Sequence, residues 1–237
     1  MSAPIPPNAL NLLSGGAAQG LVNALRGDFQ AASGLEVRGE FGAVGLMKDK
    51  LLAGAPCDVV ILTQALIEQL TASGQVSAGS ARALGVVKTG IAVKVTEPAP
   101  DVGTPQALKA ALLAATGIYF PDPVKSTAGI HFFSVLRQLG IDGAVAPRLR
   151  PFPNGATAMR EMSQSSEQGL IGCTQVTEIL YTPNVRLVAN LPTEFELATT
   201  YVAAVCAKAG SANAALGLVE LLSGPASASA RATAGFE

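Results

Sequence analysis

The sequence predicts an α/β fold built on largely parallel sheets, and three observations carry that expectation. β-like and α-like segments alternate along almost the whole chain. Two glycine-rich turns, Leu13-Ser14-Gly15-Gly16-Ala17 and Phe41-Gly42-Ala43-Val44-Gly45, each follow a short strand-like run and precede a helical one. Hydrophobic residues make up 49% of the 237 positions and charged residues 14%, so a core is easy to build and global disorder is excluded. That length accommodates one large domain or two lobes.

Strands are expected at Leu10–Leu13, Glu36–Phe41, Asp58–Leu62, Gly85–Val95, Gly117–Phe120, Leu149–Pro151, Gly169–Ile171, Val185–Asn190 and Tyr201–Cys206. Helices are expected at Gln19–Ser33, Leu46–Ala53, Gln64–Ser73, Pro105–Ala115, Ala128–Leu139, Ala156–Ser165, Thr174–Tyr181 and Asn213–Ser223. In the first helix Leu21, Ala24, Leu25, Phe29 and Ala32 recur at helical spacing and define an apolar face. Thr104-Pro105 reads as an N-cap followed by proline at the first helical position. Gly34 and Gly140 read as helix stops, and Pro225 to Arg231 as a small-residue helix ending before Gly235-Phe236. No internal repeat or low-complexity linker interrupts the alternation.

The glycine turns matter beyond reversing the chain. A strand that runs through small residues into a helix leaves backbone N–H groups unpaired at the helix start, where the dipole favours an anion. One such turn is weak evidence, because glycine also serves close packing. Two in tandem point to a site made of backbone amides for a small negative ligand.

Composition narrows the chemistry. The net charge is −1 with no basic block, so nucleic acid is not expected as a partner. Aromatics are scarce and tryptophan is absent, which argues against a stacking platform for sugars or bases. No apolar stretch approaches the ~20 residues of a membrane span. Cys57, Cys173 and Cys206 are odd in number and unpatterned, fitting neither a disulfide framework nor a metal site. His131 is the only histidine, which excludes a multi-histidine metal centre. There is no P-loop, no dinucleotide fingerprint and no nucleophile elbow. Neither a metal nor a cofactor is expected. Met1-Ser2-Ala3-Pro4-Ile5-Pro6-Pro7 has no basic or apolar leader region. The expected location is periplasmic if a signal peptide was removed and cytoplasmic otherwise.

Taken in order, several segments resemble the molybdate-binding type of periplasmic solute-binding protein. They are the two glycine turns, Gly54-Ala55-Pro56-Cys57-Asp58-Val59-Val60-Ile61, Tyr119-Phe120-Pro121-Asp122-Pro123 with Thr127-Ala128-Gly129, Asn154-Gly155-Ala156, Gly169-Leu170-Ile171-Gly172 and Ala234-Gly235-Phe236. The resemblance spans nearly the whole chain. It implies a two-lobed "Venus flytrap" of class II topology, with lobe one at 1–88 plus 202–237 and lobe two at 89–201. An anion is expected in the cleft between the lobes, with hinge closure around it.

The departures from that family are informative. Where molybdate binders offer serine hydroxyls in the first two turns, this chain has Ala17 and Val44, and Gly172 stands where a tyrosine is usual. Each lost oxyanion contact costs about 1 kcal/mol or more. Glycine at 172 is expected to enlarge the pocket, so a bulkier anion than molybdate is expected. A branch resembling this family, the bacterial aconitate isomerases, implies a tricarboxylate ligand and a cofactor-free allylic 1,3-proton shift. The alternative is a solute-binding protein that delivers a molybdate-like oxyanion or an organic anion to an ABC permease. A monomer is expected in either case.

Such chemistry needs a cradle for carboxylates and a group that moves protons. The cradle candidates are Ser14, Gly15 and Gly16; Ala43 and Val44; Ser126, Thr127 and Ala128; and Asn154, Gly155 and Ala156. Lys48 and Lys125 are candidate cations, with plain solvation as the competing account. Thr63, Thr174 and Gln175 lie at strand carboxyl ends, the usual ligand edge of an α/β sheet, with N-capping as the competing account. His131, Cys173 and Glu196 are the acid–base candidates. Their competing accounts are helix packing beside Phe132 and Phe133, a buried apolar thiol, and a solvated loop carboxylate.

Overall fold

The computed structural model describes residues 9–237. The proline-rich start and the first eight positions of the expected first lobe lie outside the described residues. The chain begins with β1 (Ala9–Gly15), α1 (Gln19–Ser33), β2 (Glu36–Gly42), α2 (Val44–Leu52), β3 (Val59–Thr63) and α3 (Gln64–Ala72). It continues through β4 (Arg82–Lys94), α4 (Pro105–Ala114), β5 (Gly117–Pro121), α5 (Thr127–Gln138) and α6 (Asp142–Val145). Then come β6 (Leu149–Phe152), α7 (Gly155–Gln164), β7 (Leu170–Gln175), α8 (Val176–Tyr181) and β8 (Val185–Asn190). The last elements are β9 (Ala198–Val205), α9 (Ala212–Ser223) and α10 (Ala228–Ala234).

Two compact units result. Unit one holds residues up to Gly42, Leu46–Val86 and Thr200–Glu237; unit two holds Ala43–Gly45 and Val87–Thr199. The long strands β4 and β9 therefore each contribute to both.

In unit one the strand order is β2-β1-β3-β9. β1 runs parallel to β2 and β3, while β9 is antiparallel to β3 with Thr63 opposite Tyr201. The carboxyl ends of β1, β2 and β3 thus share one edge. β3 reads Val-Val-Ile-Leu-Thr and its first four residues are buried, as expected of a strand covered on both faces. α1 packs against β2, α9 and α10, and its Leu21, Val22, Leu25 and Phe29 are buried. Ala24 and Ala32 are exposed, so the apolar face is rotated toward Val22 relative to the periodic reading. Gly34 ends α1 in the left-handed conformation, φ 74°.

One further strand-like pairing closes unit one. The Val86 N–H donates to the Glu237 carbonyl and the Glu237 N–H donates to the Val86 carbonyl, both at 2.8 Å. Phe236 is buried edge-on to Tyr201. Gly85 permits this approach, with φ 143° and no room for a Cβ, which would lie 2.8 Å from the Glu237 carbonyl oxygen.

In unit two the order is β8-β4-β7-β5-β6. β5 is parallel to β6 and β7, and β4 is antiparallel to β7 and β8. Two apolar clusters fill it. One contains Ile118, Phe120, Phe132, Val135, Leu136 and Ile171; the other contains Tyr119, Ala158, Met159, Met162, Leu170 and Ile179. Thr104 caps α4 by accepting from the Ala107 N–H at 3.1 Å, with Pro105 at the first helical position.

β7 corrects the sequence reading. It runs on through Thr174 and Gln175, where the sequence predicts a helix start, because both residues pair with β4. Their register places Gly90 opposite Thr174 and Thr89 opposite Gln175.

Candidate functional site

The carboxyl ends of β5, β6 and β7 lie along one edge of the unit-two sheet, and α5, α7 and α8 begin there. Because β4 is antiparallel, its Thr89 reaches the same edge. This edge gathers Ser126, Thr127 and Ala128; Asn154, Gly155 and Ala156; and Thr174 and Gln175. It also brings in Glu178, which no motif in the sequence marks.

Glu178 is the most unusual group of this edge. It is buried on the first turn of α8. The Thr174 hydroxyl donates to its Oε2 at 2.5 Å. The backbone of α7 comes so close that a Cβ on Gly155 would stand 1.9 Å from both Glu178 Oε2 and Thr174 Oγ1. Burial raises the carboxyl's proton affinity above the ordinary carboxylate value, while Thr174 and the N–H groups of Ala156, Gln175 and Gly155 oppose that rise. The expected amide cradle at Gly155 and Ala156 is thus already directed at an internal carboxyl group. Asn154 serves as the α7 cap, its Oδ1 accepting from the Thr157 N–H at 2.8 Å.

The same edge carries polar atoms with no partner. Both side-chain amide atoms of Gln175, the Thr89 hydroxyl and the Thr177 hydroxyl are buried and without hydrogen bonds among the described residues. Buried polar groups are ordinarily paired, because leaving one unpaired costs about 1–3 kcal/mol. Gln175 occupies the N-cap position of α8 without capping it, so simple capping does not account for it.

α5 also starts without a side-chain cap. Ser126 has the extended N-cap backbone, yet its hydroxyl bonds no α5 amide. The preceding loop is held by Asp122, whose Oδ1 accepts from Val124 N–H at 2.7 Å and Lys125 N–H at 2.9 Å. Lys125 projects from that loop and is exposed.

The carboxyl edge of the unit-one sheet has the same design. Ser14 is fully buried and its hydroxyl donates to the Gly15 carbonyl at 2.9 Å. Gly15 precedes a short 3-10 turn over Gly16–Ala18 with no side-chain cap. Thr63 stands at the N-cap of α3 and makes no capping bond. Lys48 is half-buried on α2. Ala43 and Val44, grouped with unit two, are buried where α2 begins.

The acid–base candidates read from the sequence are engaged elsewhere. His131 Nε2 lies 2.8 Å from the Phe195 carbonyl oxygen. A carbonyl only accepts, so this nitrogen carries the proton and donates it, which fixes the tautomer. Cys173 is fully buried in the larger apolar cluster of unit two, and burial pushes its thiol well above the ordinary value. A thiol so placed is a packing group. Glu196 forms a partly exposed ion pair with Lys88 at 3.4 Å.

Two arginines of unit two are likewise committed. Arg150 forks onto Glu167 at 2.8 and 2.7 Å and donates to the Tyr119 hydroxyl at 2.7 Å. The guanidinium holds the Glu167 carboxyl below its usual range. Arg148 donates to the carbonyls of Leu113 and Ala115, both at 2.7 Å.

Gly172 corrects another expectation. Its missing side chain does not leave room for a larger ligand. A Cβ there would meet Met159 Cε at 2.5 Å and Met162 Cε at 3.1 Å, so the methionines of α7 fill the space. Unbranched thioethers suit such gap filling.

Mixed sheets whose helices start from a shared carboxyl edge, grouped in two units, define an α/β periplasmic-binding-protein-like fold of the two-lobed class II type. The profile of the bacterial extracellular solute-binding protein family matches residues 10–237, and the chain belongs to that family. An aconitate isomerase from a Pseudomonas species is 26% identical over 98% of this chain and 88% of its own length. The periplasmic molybdate-binding protein of Azotobacter vinelandii superposes with a TM-score of 0.78 at 17% identity, covering 96% of this chain and 98% of that one. The sulfate-binding protein SubI of Mycobacterium tuberculosis superposes with a TM-score of 0.74, also at 17% identity, over 97% and 86% of the two chains.

Proposed function

We propose that this protein binds a small organic polyanion, a tricarboxylate such as aconitate, and isomerises it by a cofactor-free 1,3-proton shift. The observation that carries the reading is Glu178, a buried carboxyl of raised proton affinity held by Thr174 at a sheet edge that also carries the unpartnered Gln175 amide. The similarity to an aconitate isomerase along nearly the whole chain supports the substrate class.

The chemistry fits the groups. A base removes one proton from the methylene carbon of aconitate, and the charge spreads over the allylic carbons and their carboxylates. A proton then adds to the former vinylic carbon, so the double bond moves while composition and oxidation state stay unchanged. A carboxylate whose burial raises its proton affinity is a stronger base than one in water, and its acid form holds the proton until it is returned. Gln175 offers both a donor and an acceptor to the substrate. Carboxylates are received by the uncapped start of α5, Ser126–Ala128. Lys125, exposed on the loop before α5, is the additional polar contact in this assignment.

The test is direct. Incubation with cis-aconitate yields the trans isomer, and Glu178→Gln abolishes turnover while aconitate still raises the melting temperature of the variant. His131→Ala leaves turnover within a few-fold, since its Nε2 is tied to Phe195. Absence of any trans isomer with the unmodified protein sinks the isomerase reading. A second reading, a binding protein that hands an anion to an ABC permease, has family membership in its favour. It is selected if ligands stabilise the protein and none turns over. A larger thermal shift with molybdate than with any tricarboxylate overturns the ligand class.

A further inference from the structure

Two of the cysteines that look unpatterned in sequence meet in space. Cys57 precedes β3 and Cys206 follows β9, both in unit one, and their sulfurs are 3.3 Å apart. The contact is built by the backbone on both sides. The Cys206 N–H donates to the Asp58 carbonyl at 2.9 Å, continuing the β3–β9 pairing by one residue. Asp58 fixes the surrounding segments, its Oδ2 accepting from the Asn11 N–H at 2.8 Å and its Oδ1 from the Gly210 N–H at 2.7 Å. Both cysteines are free thiols, and Cys173 lies in the other unit's core.

The two sulfurs differ in access. Cys57 lines a cavity of about 470 Å³ together with Asn11, Pro56, Asp58 and Lys208. Cys206 is 2% exposed and absent from that lining. A reagent entering the cavity therefore meets Cys57 first and finds Cys206 directly behind it.

We propose that Cys57 and Cys206 are an oxidisable dithiol, converted to an intramolecular disulfide by small-molecule disulfides that enter this cavity. The Cys57 thiolate attacks one sulfur of the reagent R–S–S–R, forming a Cys57–S–S–R mixed disulfide and releasing R–S⁻. The Cys206 sulfur then attacks Cys57 Sγ, forming the Cys57–Cys206 bond and releasing the second R–S⁻. The two thiol protons pass to the two leaving thiolates. The protein pair is oxidised by two electrons, and one reagent disulfide is reduced to two thiols. The sulfurs need to close by roughly 1.3 Å to reach bonding distance.

The experiment uses the full chain and 2-hydroxyethyl disulfide, followed by denaturation, alkylation and intact mass measurement. Trypsin places the three cysteines in separate peptides, residues 51–82, 161–186 and 187–208, which gives an internal control. The expected product has lost about 2 Da, carries one alkyl group, on Cys173, and yields peptide 51–82 linked to peptide 187–208. It melts at a higher temperature than the reduced protein, because the link closes a long loop of the unfolded chain. Cys206→Ser stops at the mixed disulfide on Cys57, and Cys57→Ser gives neither adduct nor link. Full alkylation of both cysteines in the unmodified protein overturns the proposal, as does a mixed disulfide on Cys57 that persists there. Neither result depends on the variants folding or on the identity of the anion.

Discussion

Glu178 ties a single side chain to measurable pH dependence. Its folded proton affinity is raised by burial, so between the ordinary carboxylate range and the raised value the folded state binds more proton than the unfolded one. The associated stability is fully present below the ordinary range and is lost as pH rises through the folded value. Glu178→Gln, neutral at every pH, removes this slope. In urea titrations from acidic to neutral pH, the stability difference should move in favour of the variant as pH rises. A constant difference would show that Glu178 titrates alike in both states. Gly155→Ala drives a methyl group into Glu178 and Thr174, and it should cost about 1–3 kcal/mol in the same assay. Neither role was legible in the sequence. In Val176-Thr177-Glu178-Ile179-Leu180 the one charge, set among apolar residues, was the only signal, and a short helix tolerates such a residue on a wet face. His131 and Cys173 drew attention through chemical type, whereas their hydrogen bonds and burial depend on packing that one-dimensional spacing does not encode.

Helix starts divide into two kinds, and the division is testable element by element. Thr104 bonds the Ala107 N–H of α4, so Thr104→Ala should destabilise the protein by about 1 kcal/mol. Thr63 holds the same position on α3 without such a bond, so Thr63→Ala should change stability by no more than about 0.5 kcal/mol. If Thr63 proves as costly as Thr104, the distinction between capping and non-capping hydroxyls fails. Most strands and helices were legible, since apolar periodicity and the punctuation by Gly34, Thr104 and Pro105 are local signals. The sequence predicts too short a β7 because Thr174-Gln175 looks like a helix start. Its pairing with Thr89 and Gly90 is a long-range fact that overrides local preference. α6, four residues long, is too short to show a period.

At the scale of the whole molecule, periodicity could establish alternation but not which strands pair. The antiparallel insertion of β9 beside β3, and of β4 beside β7, brings together segments far apart in sequence. Only the ordered set of short motifs, taken along the chain, pointed to this topology. The exchange of hydrogen bonds between Val86 and Glu237 carries a consequence for how backbone protons are guarded. Val86 is the last unit-one residue before β4 continues into unit two, and Phe236–Glu237 supplies the partner for both its N–H and its C=O. Removal of Phe236 and Glu237 should therefore raise the deuterium-exchange rate of the Val86 amide severalfold while the amides of Val59–Thr63 keep their protection. The solvent clock of a strand that serves both units is set by a pair of residues about 150 positions further along the chain.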